Sequence, residues 1–455
     1  MKKLFGTNGI RFILGKDFTL KDVLQVGLAI GTFFSKGKCL LGRDVRLTGE
    51  VIANTIASAL MSTGINVYDI GLITTPALQY LVKKREFDFG IMITASHNPP
   101  EFNGIKVIDN DGVEIPPEKE KLIEEIYFTR KFKYANWENV GEFSEMRFLI
   151  DEYLDGVLSH INEELISKRK FKVAVDPANS VSVLTTPRLL KRLKCKVLTV
   201  NAHLDGTFPG RKPEPRLDNL QTLSEAVIAS GADLGVAHDG DGDRAIFVDE
   251  KGQVYWGDKT AALIVMDFLE RNPGECIVTP VSSSKIIEDV AKKYGGKIIY
   301  TKVGSIIVSR MMMKLGAKLG VEENGGIFYG PHLPVRDGTM ATALILDILA
   351  RKETSLSSLL SSLPKYYQVK DKVPCPNELK AKVLKILLSE VSGVKVETID
   401  GVKVWYSDGS WVLARPSGTE PIYRIFSEAK DPQRAKELAE NMKEKVLKII
   451  STLKE

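Results

Sequence analysis

Short apolar runs alternate with helix-period patterns over most of the chain. "KCLLG" around Leu40 has the length and composition of a strand. The segment "TGEVIANTIASALMSTG" then places Val51, Ile52, Ile56, Ala59 and Leu60 at helical spacing and ends at Gly64. "INVYDIG" follows as another strand, and "FKVAVDP" (171–177), "CKVLTV" (195–200), "CIVTPV" (276–281) and "GKIIYT" (296–301) continue the theme. Repeated strand–helix–strand order predicts α/β layers built on substantially parallel or mixed sheets.

A weak internal repeat divides this region. "FDFGIMITASHN" (87–98), "ADLGVAHDGDGDR" (232–244) and "AKLGVEENGGIF" (317–328) each set a glycine inside a short apolar strand and follow it with a polar loop. The first two loops lead into "GIKVIDNDG" and "RAIFVDEKG", each a strand and a turn. Three similar βα units would each present one polar loop, and loops at the carboxyl ends of strands are where open α/β sheets bind ligands.

From about Pro364 the pattern changes to alternating strands with Asp-Gly turns, "VKVETIDGVKVWYSDGSWVLARPSG", which predicts hairpins. A final helix begins with Asp431 as N-cap and Pro432 at its first position. Its apolar stripe is Ala435, Leu438, Ala439, Met442, Val446, Ile449, Ile450 and Leu453. The expected layout is three related α/β domains with mixed sheets (1–149, 150–250 and 251–364) and a C-terminal α+β domain (365–455).

Length and charge narrow the function. A chain of 455 residues holds three or four ordinary domains. Its 63 basic and 58 acidic residues leave a net charge of +5, spread without a basic stripe. That argues against nucleic acid as a partner and suits a small anionic substrate. Cys39, Cys195, Cys276 and Cys375 are scattered, with neither metal-ligand spacing nor a disulfide framework. "MKKLFGTNGIRF" lacks the apolar core of a signal peptide, and no apolar run is long enough to span a bilayer. The expectation is a cytoplasmic protein with no membrane partner. No signal of oligomeric state is present.

Three loops carry candidate chemistry. In "HDGDGDRAIF", Asp239, Asp241 and Asp243 alternate with glycines. Carboxylates this close repel one another, so a divalent cation is their natural partner, and period-two backbone can turn all three toward it. An EF-hand register from Asp239 puts Glu250 at position 12 but Arg244 where that loop needs glycine. An ion-free acidic surface loop is the other alternative. In "ARPSGTEP" (414–421), Arg415, the Ser417 and Thr419 hydroxyls and the amides around Gly418 suit a phosphate. Ser417 and Glu420 also have capping-box spacing, although Pro421 and the alternating "IYRIF" favour a strand. In "ITASHNPPEFNGIK", Ser96 precedes His97 but lacks the glycines of a hydrolase elbow, and two prolines block a following helix. Alone, Ser96 is a cap or turn residue. In a cleft with the other two loops it could carry a phosphoryl group, with Lys106 as proton shuttle if its pKa is lowered.

With these residues in view, the whole chain resembles the α-D-phosphohexomutases: phosphoglucomutase, phosphomannomutase and phosphoglucosamine mutase. "FGTNGIR" (5–11), "TASHNP" (94–99), "DGDGDR" (239–244), "EENGG" (322–326) and "RPSGTEP" (415–421) stand in the family's order. The resemblance implies three α/β units and a TBP-like C-terminal domain around a central cleft. It implies that Ser96 passes its phosphoryl group to a hexose monophosphate and recovers the other one from a hexose 1,6-bisphosphate, which also serves as activator. Magnesium would be held by Asp239, Asp241, Asp243 and the Ser96 phosphate. Lys106 would be the acid/base, and Arg11, His97 and Arg244 would stabilise charge on the phosphoryl. Arg415, Ser417, Gly418, Thr419 and Arg424 would hold the other phosphate, and Glu322 and Asn324 the sugar hydroxyls. Many bacterial members carry serine and histidine where this chain has Asn324 and Gly326, and some carry a histidine at Ser305. These departures bear on which sugar is chosen. A plain turn is the alternative account of Gly325-Gly326.

Overall fold

The computed structural model describes every residue except Met1, Lys2, Thr7, Phe148, Thr419 and Glu455. Among the described residues the strands form four sheets. The first contains β1 (Ile10–Ile13), β2 (Gly37–Arg43), β3 (Ile65–Leu72), β4 (Phe89–Ile93), β5 (Phe102–Asp109) and β6 (Phe143–Glu145). The second contains β7 (Lys172–Asp176), β8 (Lys196–Thr199), β9 (Leu234–His238), β10 (Ala245–Asp249) and β11 (Val254–Tyr255). The third contains β12 (Cys276–Pro280), β13 (Lys297–Thr301), β14 (Leu319–Val321) and β15 (Ile327–Tyr329).

These three sheets share one strand order. It reads β5-β4-β2-β3 in the first, β10-β9-β7-β8 in the second and β15-β14-β12-β13 in the third. In each, the first strand listed is antiparallel to its neighbour and the others are parallel. The repeated glycines have one packing duty throughout. A Cβ on Gly90 would lie 2.5 Å from Val82 Cγ2, on Gly235 2.8 Å from Val227 Cγ2, and on Gly320 2.5 Å from Met312 Sδ. Each glycine lets a helix approach its strand closely. The polar loops differ from the expected βα connections, because each joins two antiparallel strands, β4 to β5, β9 to β10 and β14 to β15. The loop tips are therefore hairpin ends, pinned on both sides by a ladder.

The fourth sheet is antiparallel, in the order β16 (Tyr367–Pro374), β20 (Ile422–Ala429), β19 (Trp411–Pro416), β18 (Val402–Trp405), β17 (Lys395–Glu397). The helix Pro432–Lys454 packs on it through the predicted stripe, and the Arg434 amide donates to Asp431 Oδ2 at 2.9 Å. One continuous apolar core runs through the first three units, and the fourth has its own. Among the described residues no helix is long and apolar enough to cross a membrane.

The fourth unit meets the third over Val281, Trp411 and Leu413. Lys403, 1 % exposed, lies in that contact. Its Nζ donates to the Val281 carbonyl at 2.8 Å and sits 3.9 Å above the Trp411 ring and 4.5 Å from that of Trp405. Burial pushes the Lys403 ammonium down to about 8, against the pull of Glu428. An unfolded lysine loses its proton near ~10.4. Between the two values the unfolded chain holds the extra proton, so this group makes the fold more stable as pH rises. The unfolding midpoint of the wild type relative to Lys403→Met is expected to rise from about pH 8 to about pH 10. A pH-independent difference would contradict it.

Candidate active site

The tip between β9 and β10 holds Asp239, Asp241 and Asp243, all buried. Their carboxylate oxygens lie within 4.8 Å of one another. What keeps them buried comes from the other units. From the first, Ser96 Oγ donates to Asp239 Oδ2 at 2.8 Å. Lys106 Nζ and Thr75 Oγ1 donate to Asp241 Oδ2 at 2.7 and 2.6 Å. From the third, Arg336 Nη2 pairs with Asp243 Oδ2. Backbone fixes the tip as well: the Thr75 amide donates to the Asp241 carbonyl at 2.9 Å, and the Gly338 amide to that of Gly242 at 3.2 Å.

The donor set fits a divalent cation. Asp241 Oδ1 and Asp243 Oδ1 are buried and have no hydrogen-bond partner. Burial and the neighbouring Asp243 and Asp241 push the Asp239 carboxyl well up, the signature of negative charges crowded together without enough compensation. Burial pulls Asp241 the same way, but Lys106 and Thr75 reverse it and hold that carboxyl low. The EF-hand alternative fails on structure. Residues 245–249 are strand β10, and Glu250 turns away to accept from the Ser357 hydroxyl and amide.

Ser96 is neither a helix cap nor a triad serine. It sits at a turn with φ of +50°, a conformation that non-glycine residues hold only where the surroundings impose it. Arg46 imposes it here. This buried guanidinium donates to the carbonyls of Ser96 (2.8 Å), Asn98 (2.7 Å), Pro99 (2.6 Å) and Phe102 (2.8 Å). Asp44 in turn holds Arg46 Nε at 3.0 Å. His97 cannot act as base. Its Nδ1 lies 3.0 Å from Arg244 Nη2, which can only donate, so the Nδ1 lone pair is already engaged. The Ser96 hydroxyl is 3.4 Å from the same atom. Burial, then Arg244 and Arg11, push the imidazole well below its ordinary value.

Lys106 also departs from expectation. Burial lowers it, but Asp241 and Asp243 outweigh burial and raise its pKa. Arg11 donates to Asn98 Oδ1, and burial with Arg244 brings its guanidinium down to about 10. Arg244 lies 3.8 Å from Asp243 and 3.7 Å from Glu214.

The third loop reaches the same place. Glu322 is buried and lies 3.4 Å from Arg336 Nη1. Asn324 Oδ1 accepts the Gly326 amide at 3.2 Å, and the Gly325 carbonyl accepts the Ala245 amide at 3.1 Å. Ser305 accepts from Asn8 Nδ2 at 2.8 Å, joining the first unit to the third.

The fourth loop stands apart. Ser417 accepts the Glu420 amide at 3.2 Å, half of a capping box, but strand β20 follows instead of a helix. Arg415 Nε pairs with Asp400 at 2.8 Å, and the same Asp400 oxygen accepts the Val303 amide at 3.1 Å, which ties this loop to the third unit. Arg424 beside it pairs with Glu420, and its buried Nε has no partner, which fits an anion. Gly418 lies in the same loop, and Thr419 is outside the described residues. Arg336, Arg46 and Thr75 were not singled out from the sequence. "DVR" after an apolar strand was the available hint for Arg46.

Comparison with known proteins agrees with this architecture. Residues 2–134, 151–252 and 256–367 match the phosphoglucomutase/phosphomannomutase α/β/α domains I, II and III, and residues 372–445 match that family's C-terminal domain. The chain is 46 % identical over 452 residues to a phosphoglucosamine/phosphogalactosamine mutase of Sulfurisphaera tokodaii, covering 97 % of this chain and 99 % of that one. It is 44 % identical over 446 residues to a phosphoglucomutase/phosphomannomutase of Thermococcus kodakarensis, covering 97 % of each. A crystal structure of a phosphoglucomutase/phosphomannomutase family protein from Burkholderia thailandensis superposes with a TM-score of 0.89 at 27 % identity, over 98 % of this chain and 97 % of that one. The chain therefore belongs to the phosphoglucomutase/phosphomannomutase family, the α-D-phosphohexomutases, and is a hexose-phosphate mutase.

Proposed function

We propose that this enzyme interconverts hexose 6-phosphate and hexose 1-phosphate through a phosphoserine at Ser96. The observation that carries the reading is the Ser96 hydroxyl, buried and 2.8 Å from Asp239 in a cluster of three carboxylates. The Ser96 Oγ–P bond breaks as a bond from phosphorus to a sugar oxygen forms, giving a hexose 1,6-bisphosphate. The bisphosphate turns round in the cleft, and Ser96 takes the other phosphoryl group. Lys106 takes the proton of the attacking hydroxyl and returns it. Arg11 and Arg244 offset charge on the phosphoryl oxygens, and His97 offers them a hydrogen bond. Arg415, Ser417, Gly418, Thr419 and Arg424 grip the phosphate that is not reacting. Glu322 and Asn324 read sugar hydroxyls.

Asp239, Asp241 and Asp243, with the phosphate on Ser96, are the residues that would hold magnesium. Bound there, magnesium would neutralise phosphoryl charge and share Asp241 and Asp243 with Lys106, easing the hold that keeps this amine protonated. Sugar-phosphate substrates and a cytoplasmic setting complete the reading. An amino-sugar phosphate as the main substrate is a second reading, supported by the name of the 46 % identical relative.

Rates on glucose, mannose and glucosamine 1-phosphates, with magnesium and catalytic hexose 1,6-bisphosphate, decide between the sugars. Ser96→Ala is expected to lower every mutase rate by at least a thousandfold, and intact-mass analysis should find phosphate on the wild type alone. Free phosphate released as fast as isomer would mark a phosphatase instead.

Magnesium should also act on stability. At about 100 times its Kd a bound ion adds about 2.7 kcal/mol, a shift of a few degrees in the unfolding midpoint. Asp239 has a raised pKa, so its ionisation opposes folding at neutral pH. Asp239→Asn without metal is expected to unfold no lower than the wild type and to gain little from magnesium. A magnesium shift equal to that of the wild type would contradict the assignment.

A further inference from the structure

Gly325 and Gly326 are glycines for different reasons. Gly325 has φ of +88°, and a Cβ on it would lie 2.4 Å from the Ala245 carbonyl oxygen. Gly326 does not have a positive φ, so a turn does not account for it. A Cβ there would lie 2.7 Å from Arg336 Cδ, 3.0 Å from Arg336 Cγ and 3.1 Å from Glu322 Oε2. These arginine atoms are mid-stem and cannot swing aside without moving the guanidinium. The stem of Arg336 crosses the bare backbone of Gly326 to set that guanidinium between two buried carboxylates. Nη2 pairs with Asp243 Oδ2, and Nη1 lies 3.4 Å from Glu322 Oε2.

The chain around Arg336 is fixed. Arg336 bridges Phe328 in antiparallel fashion, and the Asp337 amide donates to the Ile327 carbonyl at 3.0 Å. Asp337 then caps the helix Gly338–Lys352 through the Met340 amide at 2.9 Å. The two loops can therefore compete for one guanidinium whose backbone is held in place. The pairing with Asp243 is close and the one with Glu322 is longer.

We infer that Arg336 is a positioning residue, a counter-ion shared between the acidic loop and the sugar loop, and that Gly326 is glycine to give it passage. A cation that takes up the charge of Asp243 leaves Arg336 to Glu322, which orders that carboxylate for a sugar hydroxyl. By linkage, Glu322 eases cation binding by drawing Arg336 away from Asp243. This rests on the reading of Asp239, Asp241 and Asp243 as cation ligands and Glu322 as a sugar ligand.

The test is titration of the full-length enzyme with manganese alone, followed by electron paramagnetic resonance, together with KM and kcat for glucose 1-phosphate. Arg336→Met is expected to tighten manganese about tenfold and to raise the sugar-phosphate KM severalfold. A residue with only a structural role would weaken both. Glu322→Gln is expected to weaken manganese severalfold in the wild type and to have no effect on it in the Arg336→Met background. Equal weakening in both backgrounds would mean that Glu322 acts through its field alone, and would overturn the inference. Should Arg336→Met fail to fold, Gly326→Ala displaces the same guanidinium and should move manganese and KM in the same opposite directions. No change from Gly326→Ala in either constant would also overturn it. Asp241→Asn separates the two levels: manganese binding that survives it refutes the cation reading itself. Loss of binding there, with an unaltered manganese affinity in Arg336→Met, refutes only the inference.

Discussion

Three buried carboxylates on one hairpin tip set the terms for the rest of the molecule. At separations near the 4.8 Å limit of this cluster, each pair of ionised groups repels by roughly 3 kcal/mol at an effective dielectric constant of about 20. Three pairs approach the whole net stability of an ordinary domain, about 5–15 kcal/mol. The second unit alone cannot hold such a cluster. Lys106, Ser96 and Thr75 come from the first unit and Arg336 from the third. The charges of the site and the packing of the first three units are thus one problem with one solution. It is consistent that one apolar cluster runs through all three units.

The loops are in turn held by buried arginines. Arg46 takes four carbonyls of the serine loop, which fixes a left-handed Ser96 beyond the end of its β4–β5 ladder. Arg211 does the same below the acidic loop, donating to the His238 carbonyl at 2.6 Å and to Asp176 Oδ2 at 2.9 Å. Each arginine is itself neutralised by a buried aspartate, Asp44 and Asp176. Breaking such a buried pair by losing one partner costs about 3–5 kcal/mol, so these pairs give the loops their rigidity at little net gain in stability.

Much of this was legible in the sequence, and what was not shares a cause. Period-two and helical spacing marked the strands and helices, and the glycines Gly90, Gly235 and Gly320 marked the repeat because close packing leaves a local trace. The acidic loop, the serine loop and the phosphate loop showed themselves as clusters of chemistry over a few residues. Arg336 left no such trace: it meets Asp243 across 93 positions of the chain, from an isolated bridge beside Phe328. The protonation states were equally hidden. Burial, then Arg244 and Arg11, push His97 down, and Asp241 and Asp243 raise Lys106 against its burial. Those fields exist only after three units assemble. Even the hairpin form of the loops depended on pairing that "GIKV" and "RAIF" permitted but did not specify.

The fourth unit obeys a different rule. Its core is separate, and its contact with the third unit includes a small apolar patch, the caged Lys403, the Asp400 link between Val303 and Arg415 and the Lys370–Glu323 ion pair. Contacts of this mixed and partly polar kind hold domains together less firmly than a shared core. A bisphosphate that must turn round between two phosphoryl transfers needs a grip that closes for each transfer and loosens between them. The three units that carry the buried charges cannot loosen without exposing the repulsion they offset. The unit free of that burden is the fourth, which pairs Arg424 with Glu420 and meets the third through polar ties, the Asp400 link and the Lys370–Glu323 ion pair.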